Sequence, residues 1–165
     1  MLGFDALYKQ TVTLFNRVSA KSGEVFWYPT VINGVHLITT KSSSWSGRAE
    51  NESDDVRLHI QYTPSGSDAL IKCADDQFKK WLEPKVWRRL PQEEKLENLT
   101  FAFGDAEVFD FFVEGVFAGA SGPISDSAYE RKGFYNFMNS QFDGVYAITS
   151  VSRYNLIPHF EIMAR

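Results

Sequence analysis

Three histidines are the residues of this 165-residue chain that could together hold a metal ion. His36, His59 and His159 each fall in a stretch that the alternation of apolar and polar residues predicts to be a β-strand. Three imidazoles suffice to bind a catalytic zinc ion, provided that the fold brings them together on one barrel wall. No second histidine stands two or four residues from any of them, so no local motif supports such a site. The sequence therefore favours histidines on the polar faces of half-buried strands, with no bound metal.

The other residues able to do chemistry lack the neighbours that a reaction needs. The single cysteine, Cys73, would need a distant histidine as its base, and no nucleophile-elbow pattern surrounds it or any serine. Asp75 and Asp76 are adjacent, so their carboxylates point apart. The glycines of residues 119–122 are followed by proline rather than lysine, which is typical of a turn and not of a phosphate-binding loop. We therefore expect no catalytic residue, no cofactor and no enzymatic activity.

The composition indicates a globular domain without the charge of a nucleic-acid-binding protein. Apolar residues make up 44% of the chain and the net charge is -4. The aromatic share is 15%, with 14 Phe, and a surplus of aromatic residues is typical of subunit interfaces. One cysteine excludes an internal disulfide. We see no signal-peptide pattern and no apolar run of membrane-spanning length, so we expect a soluble protein that is intracellular at synthesis.

The apolar pattern predicts a mainly β protein, in the form of a small β-barrel or sandwich of about eight strands. Residues 56–63 contain the clearest strand, with Val56, Leu58 and Ile60 on its buried face. The C-terminal residues 144–165 predict two more strands, joined by a polar turn at residues 152–155. Pro158 marks the start of the last strand, because proline cannot donate to a ladder.

One or two short helices and two long loops are predicted to interrupt the strands of this single domain, which spans residues 1–165. The polar residues near 41–55 and 117–128 predict inserted, exposed loops. A change of apolar period predicts a helical segment near residues 75–90, capped by the aspartates at its start. Pro84 breaks this segment, and another helical turn can start there. Residues 130–140 predict a second short helix.

Eight segments together resemble a family of small proteins that tailed bacteriophages encode between their capsid and tail genes. The segments are residues 11–17, 33–36, 56–60, 82–87, 101–105, 112–115, 146–151 and 158–162. Their order along the chain carries the resemblance, which covers most of the sequence. The closing hairpin is also similar to that of phage head-completion (stopper or adaptor) proteins, which end in a small barrel.

The resemblance implies a structural virion protein, a ring-forming head-tail connector subunit of the neck that joins the portal or adaptor to the tail. The implied partners are further copies of the chain and the portal, adaptor and tail proteins, with non-specific proximity to packaged DNA and no membrane. The long loops and the helical segment leave open a tail-terminator or other tail-side role. We expect the protein to reside in the virion neck after synthesis in the host cytoplasm.

A ring subunit needs side chains that anchor it to its neighbours, and buried tryptophan and arginine side chains contribute most to such contacts. We predict the anchors to be Trp45, Trp81, Trp87, Arg88 and Arg89. Each tryptophan could equally pack into the core of its own chain.

Two other classes of protein fit the same pattern. A metal-dependent enzyme would require His36, His59 and His159 to converge and the metal to be retained through purification. A monomeric ligand-binding barrel would require an enclosed apolar cavity and no self-association. The positions of the three histidines and the presence or absence of a cavity inside the barrel therefore distinguish these classes.

Overall fold

The computed structural model describes residues 7–39, 56–104, 109–118, 121–129 and 132–165. Its strands are β1 (Gln10–Ser19), β2 (Val25–Thr39), β3 (Val56–Gln61), β4 (Thr63–Ser65), β5 (Asp68–Lys72), β6 (Phe78–Trp81), β7 (Asn98–Leu99), β8 (Phe111–Glu114), β9 (Ile124–Ser125), β10 (Val145–Tyr154) and β11 (His159–Ala164). Its helices are α1 (Pro84–Arg88), α2 (Gln92–Glu97), a 3-10 turn (Asp126–Ala128) and α3 (Gly133–Gln141). The mainly β fold class is confirmed, although the described residues contain eleven short strands and not about eight.

Six strands form a closed antiparallel ring, which we call the barrel. Hydrogen-bonded neighbours follow in the order β1, β8, β10, β11, β3 and β2, and β2 pairs back onto β1. The long strand β2 makes closure possible, because its first part pairs with β1 and its last five residues pair with β3. Closing a sheet in this way removes the unpaired edges that promote aggregation.

Apolar side chains fill the interior of the barrel. Inward residues alternate with outward ones, so that Val56, Leu58 and Ile60 of β3 are buried as their spacing predicts. The barrel core comprises Val12, Leu14, Ile32, Val35, Leu37, Val56, Leu58, Ile60, Tyr62, Ala69, Ile71, Leu99, Phe101, Phe112, Ile148, Phe160, Ile162 and Ala164. A six-stranded barrel is narrow enough for side chains to fill it, whereas a monomeric ligand-binding barrel would need an open interior.

A second sheet of four strands, in the order β4, β5, β6 and β7, contributes residues to the same core. The helix predicted at the start of residues 75–90 is wrong, because β5 and β6 form a hairpin there with Asp76 in its turn at a φ of 61°. Strand β6 bonds to β5 on one side and to β7 on the other, and these pairings override the helical spacing of Phe78 and Trp81. Helix α1 does begin at Pro84, as predicted.

Helix α3 packs on the outside of the barrel and confirms the helix predicted at residues 130–140. Phe134 and Met138, four residues apart, are buried on one face of the helix. Phe134 contacts the rings of Phe15 and Phe111, at centroid distances of 5.1 Å and 5.8 Å. Asp126 accepts a hydrogen bond of 2.7 Å from the backbone N–H of Phe134 and so satisfies the helix start. Within the described ranges, no helix has both the length and the apolar composition needed to cross a membrane.

Irregularities in two strands decide which side chains face outward. Gly34 has a φ of 67°, and the pairing of β1 with β2 shifts by one residue beside it. Residues on both sides of this bulge are therefore buried in the barrel, while His36 is placed on the outer face. In β10 a second shift in register, between Ile148 and Ser150, interrupts the regular inward and outward alternation of a strand.

A buried carboxylate ties the segment before β8 to β1. Asp110 is fully buried, and its Oδ1 accepts a hydrogen bond of 2.8 Å from the backbone N–H of Arg17. Its Oδ2 accepts bonds from Asn16 Nδ2 at 2.8 Å and from the backbone N–H of Ala102 at 2.7 Å. Burial raises the pKa of Asp110 to about 6, although hydrogen bonds from Arg17, Ala102 and Asn16 oppose the increase. The side chain is therefore ionised at neutral pH and links two separate parts of the chain.

Candidate functional site

The turn between β10 and β11 presents the most exposed large apolar side chain of the described residues. Strand β10 continues to Tyr154, which pairs with His159, so the prediction of a polar turn at residues 152–155 is wrong. Leu156 is 97% exposed, Ile157 50% and Tyr154 45%. We call Tyr154, Leu156 and Ile157 the apolar tip. Exposed apolar groups that lie together usually mark a contact surface.

Contacts beneath the apolar tip hold it in one geometry. The hydroxyl of Tyr62 lies 2.8 Å from the carbonyl oxygen of Tyr154 and 2.7 Å from Oδ1 of Asn155, and it donates to either. The guanidinium of Arg153 lies over the rings of Tyr62 and Trp81, 5.0 Å and 5.6 Å from their centroids. A surface that is already ordered loses less conformational entropy when it binds a partner.

An open apolar groove lies at the other end of β10. The groove has a volume of about 430 Å³ and is lined by Val113, Glu114, Val116, Phe117, Ala118, Met138, Phe142, Asp143 and Gly144. We call these residues the apolar groove; Val116 and Phe142 are its exposed large apolar side chains, at 65% and 51%. Strand residues rise about 3.3 Å each, so β10 separates the apolar groove from the apolar tip by roughly 30 Å.

The structure places the predicted interface anchors in different environments. Trp87 is fully buried, so it is a core residue of this chain, and we remove it from the predicted anchors. Trp81 is half-buried beside the apolar tip, and Arg89 is exposed. Arg88 is half-buried, and its Nη2 atom is buried without a hydrogen bond among the described residues. Trp45 and the whole of the predicted loop at 41–55 lie outside the described residues.

The three histidines lie together on the outer face of the barrel, although the sequence did not favour their convergence. On β2 and β3, His36 stands directly opposite His59, and Glu161 of β11 stands opposite His59 on its other side. His159 precedes Glu161 by two residues and shares its face. The ring centroids are 5.8 Å apart for His36 and His59 and 5.6 Å apart for His59 and His159. We call these four half-buried residues the histidine face.

Three side chains of the histidine face bring ligand atoms together. A nitrogen of His59, a nitrogen of His159 and a carboxylate oxygen of Glu161 lie within 4.8 Å of one another. Glu161 was not among the residues predicted from the sequence, although its position two residues after a strand histidine was the available signal.

The ring of His159 is fixed on two sides. Its Nδ1 lies 2.7 Å from the carbonyl oxygen of Ile157. Because a carbonyl only accepts, Nδ1 carries a proton, and Nε2 is the ring nitrogen that this bond leaves unused. The ring of Tyr154 stacks on this imidazole, with centroids 4.8 Å apart and planes at 8°. Two residues of the apolar tip, Tyr154 and Ile157, therefore contact the histidine face.

The electrostatics of the histidine face favour neutral imidazole at its centre. Burial lowers the pKa of His59, the charge of Glu161 opposes this effect, and the neighbouring His159, His36 and Arg57 lower the pKa further. His59 is therefore uncharged at neutral pH. A neutral imidazole has a lone pair that can accept a proton or bind a cation.

The fold and these surfaces define a small closed β-barrel with exposed apolar surfaces at both ends of one strand and clustered imidazoles on its outer face. The chain belongs to DUF6751, a family of unknown function, because the model of that family matches residues 7–165. No curated protein and no solved structure matches the chain significantly. Family membership assigns no activity, so function has to be inferred from the geometry.

Proposed function

We propose that the protein is a ring-forming structural subunit of the head-tail connector of a tailed bacteriophage, of the head-completion or stopper type. The observation that supports this proposal most is the pair of exposed apolar surfaces at opposite ends of β10. The phage assignment itself is supported by the order of the eight sequence segments described above. A tail-terminator or other tail-side ring would use the same two surfaces and is the alternative within this class.

In the proposed ring, the apolar tip of one copy inserts into the apolar groove of the next. A contact between two different surfaces of identical subunits propagates head to tail, and it forms a closed ring when the rotation between neighbours closes. Leu156 is the side chain best placed to enter the groove, because it is almost completely exposed. The filled barrel between the two surfaces holds them at a constant distance.

The proposed contact is small, so we expect assembly to depend on concentration or on a partner ring. Fully burying one large apolar side chain contributes about 1.5–3 kcal/mol, and two of the three tip residues are already half-buried. The tip therefore contributes roughly 5 kcal/mol, which is similar to the lower estimates of the cost of association. A portal or tail ring that aligns the copies would reduce this cost.

Sedimentation velocity over a concentration series tests the contact. Leu156→Glu places a charge on the apolar tip and should abolish concentration-dependent association, because a carboxylate loses its hydration inside the apolar groove. Val116→Glu should do the same from the groove side. Gln92→Glu is the matched control: it adds the same charge at an exposed position of α2 outside both surfaces and should leave association unchanged.

Mixing the two variants gives a sharper test. Each variant keeps one intact surface, so a mixture of Leu156→Glu and Val116→Glu copies should form a heterodimer and nothing larger. A contact between identical surfaces would give no such complementation. Association of the wild type that neither substitution weakens would contradict the proposal.

The phage role has its own experiment. In a phage that carries the gene, loss of the protein should leave DNA-filled heads and complete tails that do not join, as seen by electron microscopy. Infectious particles of normal appearance without the protein would refute the connector role, whatever the purified chain does in solution.

A further inference from the structure

We propose that the histidine face binds one divalent transition-metal cation of the zinc class, through His59, His159 and Glu161, with the remaining coordination position open to water. Two imidazoles and one carboxylate form a donor set that zinc commonly accepts, together with a water molecule. The three ligands are not part of the proposed ring contact, although Tyr154 and Ile157 of the apolar tip contact His159.

The strand register brings the three ligands together. Glu161 and His59 are directly paired across β11 and β3, and His159 lies two residues from Glu161 on the same face. Tetrahedral zinc with bonds of about 2.0–2.2 Å places its ligand atoms roughly 3.3–3.5 Å apart. The three atoms lie within 4.8 Å of one another, so small rotations of the His59 and Glu161 side chains toward the His159 imidazole complete the site without backbone movement.

The support around His159 is a second, independent observation. Histidines that bind metals generally donate their other ring N–H to a carbonyl or carboxylate, which fixes the tautomer and the ring orientation. The bond from Nδ1 of His159 to the carbonyl oxygen of Ile157 has this form and leaves Nε2 as the metal ligand. The stacked ring of Tyr154 restricts rotation further. The imidazole is therefore oriented before any cation arrives.

His36 is a neighbour of the site and not one of its ligands. Its ring stacks on His59 with centroids 5.8 Å apart and planes at 26°, and the ring of Tyr8 contacts it edge-on at a centroid distance of 6.0 Å. The group of ligand atoms that approach one another contains Glu161 and excludes His36 among the described residues. His36 therefore offers a matched control: a histidine on the same face whose replacement leaves the three ligands in place.

The test uses the full chain without a histidine tag, freed of metal by a chelator and titrated with zinc chloride in a calorimeter. We expect one zinc ion per chain with low-micromolar affinity or tighter. His159→Gln and Glu161→Gln should each weaken binding by about tenfold or more, while His36→Gln should keep the affinity within about threefold. Cobalt gives a second readout, because its visible absorption reports nitrogen and oxygen ligands of a bound ion. Circular dichroism confirms that each variant is folded.

Three results would overturn the proposed site. The first is no zinc binding by the folded wild type at about 100 µM zinc, where a micromolar site would be saturated. The others are equal zinc affinity in the wild type and both ligand variants, or a loss of zinc affinity in His36→Gln as large as that in His159→Gln. The same titration on Leu156→Glu separates the two proposals. That substitution changes the apolar tip and should therefore remove association. It lies outside the three ligands, so zinc binding should be retained.

Discussion

Replacing Asp110 by asparagine tests the most deeply buried charge in the described residues. The substitution keeps the size and shape of the side chain but exchanges one acceptor oxygen for an amide that donates. Asp110 accepts hydrogen bonds from the backbone N–H groups of Arg17 and Ala102 and from the side chain of Asn16. In either orientation, the new amide nitrogen faces at least one of these donors, so one bond is lost and a donor stays unpaired.

The expected loss of stability in Asp110→Asn follows from these hydrogen bonds. A hydrogen bond to a charged group contributes about 1.5–3 kcal/mol, and a buried donor left without a partner costs about 1–3 kcal/mol. Since Asp110 is fully buried, solvent does not screen either effect. We expect Asp110→Asn to lower the free energy of unfolding by about 3–4 kcal/mol at neutral pH. The matched control, Asp68→Asn, removes a carboxylate whose partly exposed ion pair with Lys80 spans 3.4 Å and should cost about 1 kcal/mol or less.

The pH dependence of the free energy of unfolding tests the pKa shift of Asp110 separately from the loss of its hydrogen bonds. The pKa of Asp110 in the folded chain is raised from 3.8 to about 6, so the folded state holds the proton more tightly than the unfolded state. This stabilisation is fully present below about pH 4 and is lost as the pH rises through about 6. The wild type should therefore gain about 1 kcal/mol over Asp110→Asn when the pH falls from about 7 to about 5.

Urea unfolding followed by tryptophan fluorescence measures both effects. With a urea dependence of about 2 kcal/mol per molar, Asp110→Asn should lower the midpoint by about 1.5–2 M at neutral pH. A decrease smaller than that of Asp68→Asn would refute the account of the hydrogen bonds. A gap between wild type and variant that narrows toward pH 5 would refute the direction of the pKa shift.

The remaining predictions also concern stability and use the same urea assay. Gly133→Ala should cost about 2–3 kcal/mol, because the residue has a φ of 84° and its new methyl group would lie 2.6 Å from Asp126 Oδ2. Gly23→Ala, at a φ of 86° with no described atom within 4 Å of the added methyl, should cost only about 1 kcal/mol, and equal losses would exclude the steric cause. Trp87→Ala should cost about 3–5 kcal/mol because the side chain is fully buried. Leu156→Ala should change stability by less than about 0.5 kcal/mol, and a larger loss would show that the apolar tip is part of the core.

The sequence was sufficient to predict the β character of the chain and much of its detail. The alternation of apolar and polar residues correctly predicted that Val56, Leu58 and Ile60 are buried. Successive side chains of a strand point to opposite faces, and here one face packs in the core while the other is exposed to water. Helical spacing located α3, and a proline located the start of α1. In these segments, local pattern and tertiary environment agree.

Where a long-range partner decides the local structure, the sequence was insufficient. Phe78 and Trp81 have helical spacing, yet they lie in a strand because β5 and β7 supply hydrogen-bond partners on both sides. Pairings between distant residues leave no signature in a short stretch of sequence.

The histidine face shows most clearly which features the sequence determines and which depend on the tertiary structure. The sequence determined that His36, His59 and His159 lie on the polar faces of strands, because each is flanked by apolar residues that must point inward. Only the tertiary structure decided that the three strands are neighbours and that Glu161 joins them. The physical reason is that strand order and register depend on the closure of the whole barrel, through pairings between residues about 100 positions apart in the chain.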